Sequence, residues 1–215
     1  SDDATSGIWE LAVPVATFND DNIQIQPGED ATNTGEYCFI TGSSFEDGNG
    51  GFDDVDNGKT TLYSPTFDLS SFDEIVLSYW RWYTNDIGDN GDSDKWEVSV
   101  SNDGGNSWTN LEYTTSSEAS WDKKTFLLSD TIDLTSNTLF KFVAEDIFYD
   151  GDNGSGGSLV EAGVDDFKLE FISGGIYGDV NGDLEVNVLD VVVLINMILG
   201  TELENYSTAD LNSDG

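Results

Sequence analysis

The segment Asp179-Val-Asn-Gly-Asp-Leu-Glu-Val-Asn-Val-Leu-Asp190 places oxygen-bearing side chains at loop positions one, three, five, seven, nine and twelve. That spacing lets a short loop wrap around one hard cation, and Ca2+ accepts roughly 6–8 oxygen ligands in irregular geometry. Asp179, Asn181 and Asp183 are expected to offer side-chain oxygens, Glu185 its backbone carbonyl and Asp190 the closing carboxylate, with Asn187 acting directly or through water. Leu184 stands at position six, where the sharp turn ordinarily takes glycine, so a weakened affinity is expected. The spacing recurs at Asp210, Asn212 and Asp214, this time with Gly215 at position six, and the sequence stops in mid-loop. A fragment of a longer protein is expected on that ground.

Such a loop needs a rigid exit. Residues 188–199 are an apolar run that predicts a helix, with Gly200 as its C-terminal cap. The run is apolar nearly all round, so the helix must be covered on two sides. Burying each large side chain yields about 1.5–3 kcal/mol. Loop and exit helix together make half an EF-hand. The two loops, introduced by Gly-Asp-Val-Asn-Gly-Asp at 178–183 and Ala-Asp-Leu-Asn-Ser-Asp-Gly at 209–215, resemble a type I dockerin. The resemblance implies calcium binding and docking onto a cohesin-like partner, with the recognition positions falling on Val188 and Leu189.

Composition narrows the function classes. The 215 residues carry 43 acids against 7 bases, a net charge of −36, with which no nucleic-acid or anionic-membrane surface is expected. Much of the acid lies in Asp/Asn/Gly loops, the composition of cation sites, and it also serves solubility in a salty medium. The absence of histidine excludes Ser-His-Asp and Cys-His catalysis and a His-ligated zinc. Paired carboxylates could hydrolyse glycosides in principle, but no pair stands out from the loop acids, and no enzyme is expected. Cys38, the one cysteine, cannot form an intrachain disulfide and is expected as a small core residue. The longest apolar run, residues 191–195, is far shorter than the ~20 residues of a spanning helix.

The first 173 residues read as β. Candidate strands at 8–13, 37–41, 60–64, 74–83, 95–100, 108–113, 124–128, 138–144 and 164–172 alternate apolar and polar residues between Gly/Asp/Asn/Ser loops. No helical period precedes residue 188. The expected fold is mostly β, an antiparallel jelly-roll sandwich with a small C-terminal EF-hand-like loop and helix. The expected division is a calcium-stabilised sandwich at 1–173 and a dockerin-like module at 174–215.

Three further features carry chemistry. Ser101-Asn-Asp-Gly-Gly-Asn-Ser-Trp108 matches the Asp-box pattern of sialidase propellers, but one copy makes a hairpin and not a propeller. In the strand Val76–Tyr83, Leu77, Tyr79, Arg81 and Tyr83 point one way, and Val76, Ser78, Trp80 and Trp82 the other. Arg81, the only arginine, either forms a buried ion pair or helps capture a ligand, such as a sugar stacked on Trp80 or Trp82. Acidic clusters recur at 53–58, 86–94 and 146–152, the last leading to Glu161 and Asp165-Asp166. Asp165 is expected on the core face with Phe167, Leu169 and Phe171, where a carboxylate needs a partner. A calcium ion held by Asp54, Asp56 and Asp165, with Glu161 or Asp166 contributing, is expected; capping of Asx turns is the plainer alternative.

Gly-Ile-Trp-Glu at 7–10, Cys-Phe-Ile-Thr-Gly at 38–42, Asp-Val-Asp-Asn-Gly-Lys-Thr-Thr-Leu-Tyr-Ser-Pro at 54–65, Tyr-Trp-Arg-Trp-Tyr at 79–83 and Leu-Val-Glu-Ala-Gly-Val-Asp-Asp-Phe at 159–167 are similar to a bacterial jelly-roll domain. It resembles the MAM-like domain that follows the catalytic domain of secreted peptidases of the immune inhibitor A type. That resemblance implies an accessory, non-catalytic, often calcium-bound sandwich in a secreted, extracellular protein. The expected function is therefore anchoring through the dockerin-like module. A calcium-dependent subunit of a filament, adhesin or surface assembly, held by self-association, is the alternative. A carbohydrate-binding module acting on a polysaccharide is a third.

Overall fold

The computed structural model describes residues 2–19, 21–43, 50–51, 53–88, 90–147, 158–172, 178, 180–181 and 185–199. Its strands are β1 (Trp9–Ala12), β2 (Thr17–Phe18), β3 (Gln24–Gln26), β4 (Cys38–Thr41), β5 (Gly58–Tyr63), β6 (Glu74–Thr84), β7 (Trp96–Ser101), β8 (Thr109–Thr114), β9 (Glu118–Leu127), β10 (Leu139–Asp146) and β11 (Glu161–Ile172). A 3-10 turn at Leu128–Asp130 separates β9 from β10, and the helix α1 (Val188–Ile198) follows β11. Each of the nine expected strands has a counterpart. The short β2 and β3 carry too few residues to show a period, and β9 begins earlier than expected because Glu118-Ala-Ser-Trp-Asp is mostly polar on both faces.

Two antiparallel sheets face one another. One has the order β1-β4-β11-β6-β9 and the other β5-β10-β7-β8, while β2 and β3 pair apart. From β4 onward each successive strand crosses to the other sheet, apart from the β7–β8 hairpin, and the last strand, β11, lies between β4 and β6. This is the jelly-roll winding expected from the strand count.

Period-two alternation decides what faces inward. Ile75, Leu77, Tyr79 and Tyr83 of β6 meet Trp96, Val98 and Val100 of β7 and Phe140, Phe142 and Ala144 of β10 in one core. Tyr79 stands edge-on to Phe142 at 5.1 Å, and Phe140 edge-on to Phe167 at 5.3 Å, both favoured aromatic arrangements. Cys38 is buried as expected, and burial pushes its thiol up to about 12.

A bulge in β11 changes one expectation. The pairing with β6 shifts between Asp165 and Lys168, with Asp166 in the left-handed region at φ 46°. The extra residue flips the faces. Val164, Phe167 and Leu169 pack on the core, while Asp165 lies on the outer face with Gly163. Asp165 is thus not a core-facing carboxylate. It accepts from Ala31 N (2.8 Å) and Asp166 N (2.7 Å) instead.

The Asp-box segment is the expected hairpin. Asp103 accepts from Ser107 Oγ (2.6 Å), Ser107 N (2.9 Å) and Ser101 Oγ (2.7 Å), and these bonds, the Ser107 hydroxyl's first, lower its pKa to about 2.

Candidate functional site

The C-terminal loop closes on Asp190. Its Oδ1 accepts from Val180 N (2.8 Å) and Asn181 N (3.1 Å), and its Oδ2 from Asn187 N (2.7 Å). The side chain is buried, and the Asn187 amide leads the backbone donors that lower its pKa. Asn187 caps α1 in turn, its Oδ1 accepting from Leu189 N at 2.8 Å, which completes a capping box with Asp190. Position twelve is thereby locked to positions two, three and nine, its lowered pKa keeps it ionised, and the sequence supplies further hard oxygen donors at positions one, three, five and seven. That donor set fits Ca2+. Asn181 and Glu185 lie in the described loop, while Asp179, Asp183, Asp210, Asn212 and Asp214 fall outside the described residues. Val188 is 72% exposed and Leu189 54%, so the first turn of α1 offers an apolar surface.

The described parts of the three acidic stretches meet at one end of the sandwich. Val55 N donates to Val160 O (2.9 Å), Leu159 N to Ile87 O (2.7 Å) and Ile147 N to Asp94 Oδ1 (3.0 Å). Asp54, Asp94, Glu145, Asp146 and Glu161 are all buried there. Burial, then the neighbouring Asp56, pushes Asp54 up to about 8. Burial also holds Glu161 well above the carboxylate range, although Thr41 Oγ1 (2.7 Å) and Gln26 Nε2 (3.1 Å) donate to it. Asp54 and Asp56 are neighbours here, as expected. Asp165 is not with them: four residues along β11 from Glu161 is about 13 Å at the strand rise. Among the described residues no three Asp, Glu, Cys or His side chains are gathered closely enough to hold a metal ion. The joint site of Asp54, Asp56 and Asp165 is therefore not assembled.

Trp80, Arg81 and Trp82 also part company. Arg81 turns inward and donates to Glu112 Oε1 at 2.6 Å, so it forms the buried ion pair. Trp82 is buried on the outer face beneath Trp121 and donates to Ile25 O at 2.7 Å. Trp80 lines a cavity. It is half-buried, at the floor of an open groove of about 480 Å³ with Thr32, Thr34, Lys123, Asp166 and Lys168 around it. Lys123 was not singled out by the sequence, because only the pairing of β9 with β6 sets it opposite Trp80. Glu112 escaped for the same reason: its three donors come from two other strands.

The model of the family described as the dockerin type I domain matches residues 177–215. None of the curated proteins matches the chain. Among solved structures the chain is similar to a carbohydrate-binding module in complex with β-1,4-galactotriose, at 14% identity over 77% of this chain and 92% of that one, with a TM-score of 0.35. It is similar to a family 16 carbohydrate-binding module at 13% identity, over 68% of this chain and 84% of that one, with a TM-score of 0.34. A xylan-binding domain from Paenibacillus barcinonensis is 12% identical over 80% of this chain and 90% of that one, with a TM-score of 0.31. All three scores lie below 0.5, and the sandwich rests on the strand pairing of this chain itself. Among the described residues no helix is long and apolar enough to cross a membrane.

Proposed function

We propose that this chain is a non-catalytic accessory and anchoring region of a secreted, extracellular protein. In this reading residues 1–173 are a MAM-like sandwich and residues 174–215 a calcium-binding module that docks onto a cohesin-like partner. The match of the dockerin model to residues 177–215 carries the proposal. The closed loop at Asp190 supports it, because a carboxylate already held by three backbone amides pays little ordering entropy when the cation arrives. Asp179, Asn181, Asp183, Glu185, Asn187 and Asp190 would hold the first Ca2+, and Asp210, Asn212 and Asp214 would contribute to a second. The ion would supply rigidity at the start of α1, and Val188 and Leu189 would meet the partner. Calorimetric titration of a type I cohesin domain into the chain tests this. Saturable binding in Ca2+, abolished by EDTA and weakened by Val188→Asp with Leu189→Asp, is the expected result. Absence of binding in Ca2+ contradicts docking, and calcium-dependent growth in light scattering instead would favour self-association.

The groove over Trp80 favours a second reading for the sandwich, that of a carbohydrate-binding module. A half-buried indole lining a groove among hydroxyl, carboxylate and ammonium groups suits a sugar, whose apolar face stacks while its hydroxyls hydrogen-bond. Loss of polysaccharide binding in Trp80→Ala is the corresponding test.

A further inference from the structure

The outer face of the five-stranded sheet is set by register. Trp80 on β6 lies opposite Lys123 on β9 and opposite Asp165 on β11, and Ser78 lies opposite Lys168. Strands are about 4.8 Å apart, so a row across these three spans about 10 Å, the scale of one or two sugar rings. The bulge then brings Asp166 to the groove, where its Oδ2 accepts from Thr32 Oγ1 at 2.9 Å. Trp80 thus has a cation on one flank and a carboxylate on the other.

Lys123 is out of character for this chain. Acids outnumber bases 43 to 7, so a lysine readily finds a carboxylate. Arg81, Lys95, Lys124, Lys141 and Lys168 each pair with one, and Lys59 helps to lower the pKa of Glu97. Lys123 is exposed and forms no ion pair with any described residue. Lys168, the other lysine of the groove, pairs among the described residues with the exposed Glu170, a contact that solvent weakens and a ligand can displace. Two ammonium groups are therefore open to a ligand on the same groove as an accessible indole.

We propose that the groove over Trp80 binds a carboxylate-bearing saccharide, a uronic-acid unit of a polysaccharide, stacked on Trp80 with its carboxylate on Lys123. The proposal rests on the carbohydrate reading above and gives it a substrate class. Asp166 orients the ring: it accepts from sugar hydroxyls and repels the carboxylate towards Lys123. Lys168 serves the next unit along β11. At physiological salt charges beyond about 8 Å are screened, so the contact is set by the groups of the groove itself: Lys123 and Lys168, with Asp165 and Asp166 on the opposite flank of Trp80.

Affinity electrophoresis of the full chain through gels of polygalacturonate, alginate and glucuronoxylan, against neutral galactan, xylan and glucan, tests this. Retention by a uronate-bearing polysaccharide is expected, with its affinity falling about tenfold in Lys123→Met, the loss of one charge-assisted contact. Lys123→Arg should keep retention, and because both substitutions are at an exposed position they leave the fold readable by its melting curve. Retention only by neutral polysaccharides, or equal retention that Lys123→Met leaves unchanged, overturns the uronate assignment while sparing the carbohydrate reading. No retention in any gel overturns both.

Discussion

Arg81 of β6 donates to Glu112 of β8 at 2.6 Å, joining the two sheets of the sandwich through a buried ion pair. Glu112 also accepts from Tyr79 Oη (2.6 Å) and Trp96 Nε1 (2.9 Å). One carboxylate therefore satisfies three donors that would otherwise be stranded in the core, and breaking such a centre is costly. Glu112→Ala is expected to lower unfolding stability by about 3–5 kcal/mol in denaturant titration. Arg81→Met with Glu112→Leu removes the unpaired cation but still strands Tyr79 Oη and Trp96 Nε1, so it should recover only part of that loss. A Glu112→Ala midpoint equal to that of the parent chain would contradict the role given to this pair.

Stability should fall with rising pH in chelator. Asp54 has its folded pKa raised from 3.8 to about 8 by burial and then by Asp56, and Glu161 moves the same way. Between those values the folded chain holds a proton that the unfolded chain has released. The stabilisation is therefore present at the acid end of that window and is lost as pH climbs towards about 8. The slope from Asp54 is at most about 1.4 kcal/mol per pH unit. Melting in EDTA at pH 5 and at pH 7.5 measures it, and Asp54→Asn should flatten the difference. A higher melting temperature at pH 7.5 in EDTA would reverse the sign and refute the account of this cluster.

Cys38 should be inert in the native state. It is 2% exposed, and burial, then the charge of Asp165, pushes its thiol up to about 12. A chromogenic disulfide reagent at neutral pH should label it only on addition of denaturant. Rapid stoichiometric labelling of the folded chain would contradict the burial of β4.

What was legible in the sequence follows from the range of the interactions. The strands of the sandwich are written in local alternation, and α1 in an apolar run closed by a cap, so Glu74–Thr84 and Val188–Ile198 fall close to where those patterns place them. That Asp190 closes its loop was legible because spacing within a loop is itself local. Asp165 was not, because a single extra residue at the β11 bulge reverses the face of every position before it relative to those after it. The meeting of Asp54 with Glu161, and of Trp80 with Lys123, depends on pairing between strands far apart in the chain, which no local pattern encodes. Arg81 lay between: its inward direction could be read from alternation, whereas Glu112 as its partner could not.

Titration of Ca2+ into chelator-stripped chain, followed by calorimetry and by the melting curve, tests the central claim most directly. Saturable uptake with micromolar to submillimolar affinity on the order of known EF-hand loops is predicted, with a site lost in Asp190→Ala. No heat of binding, an EDTA-insensitive melting curve and an Asp190→Ala chain indistinguishable from the parent would contradict it.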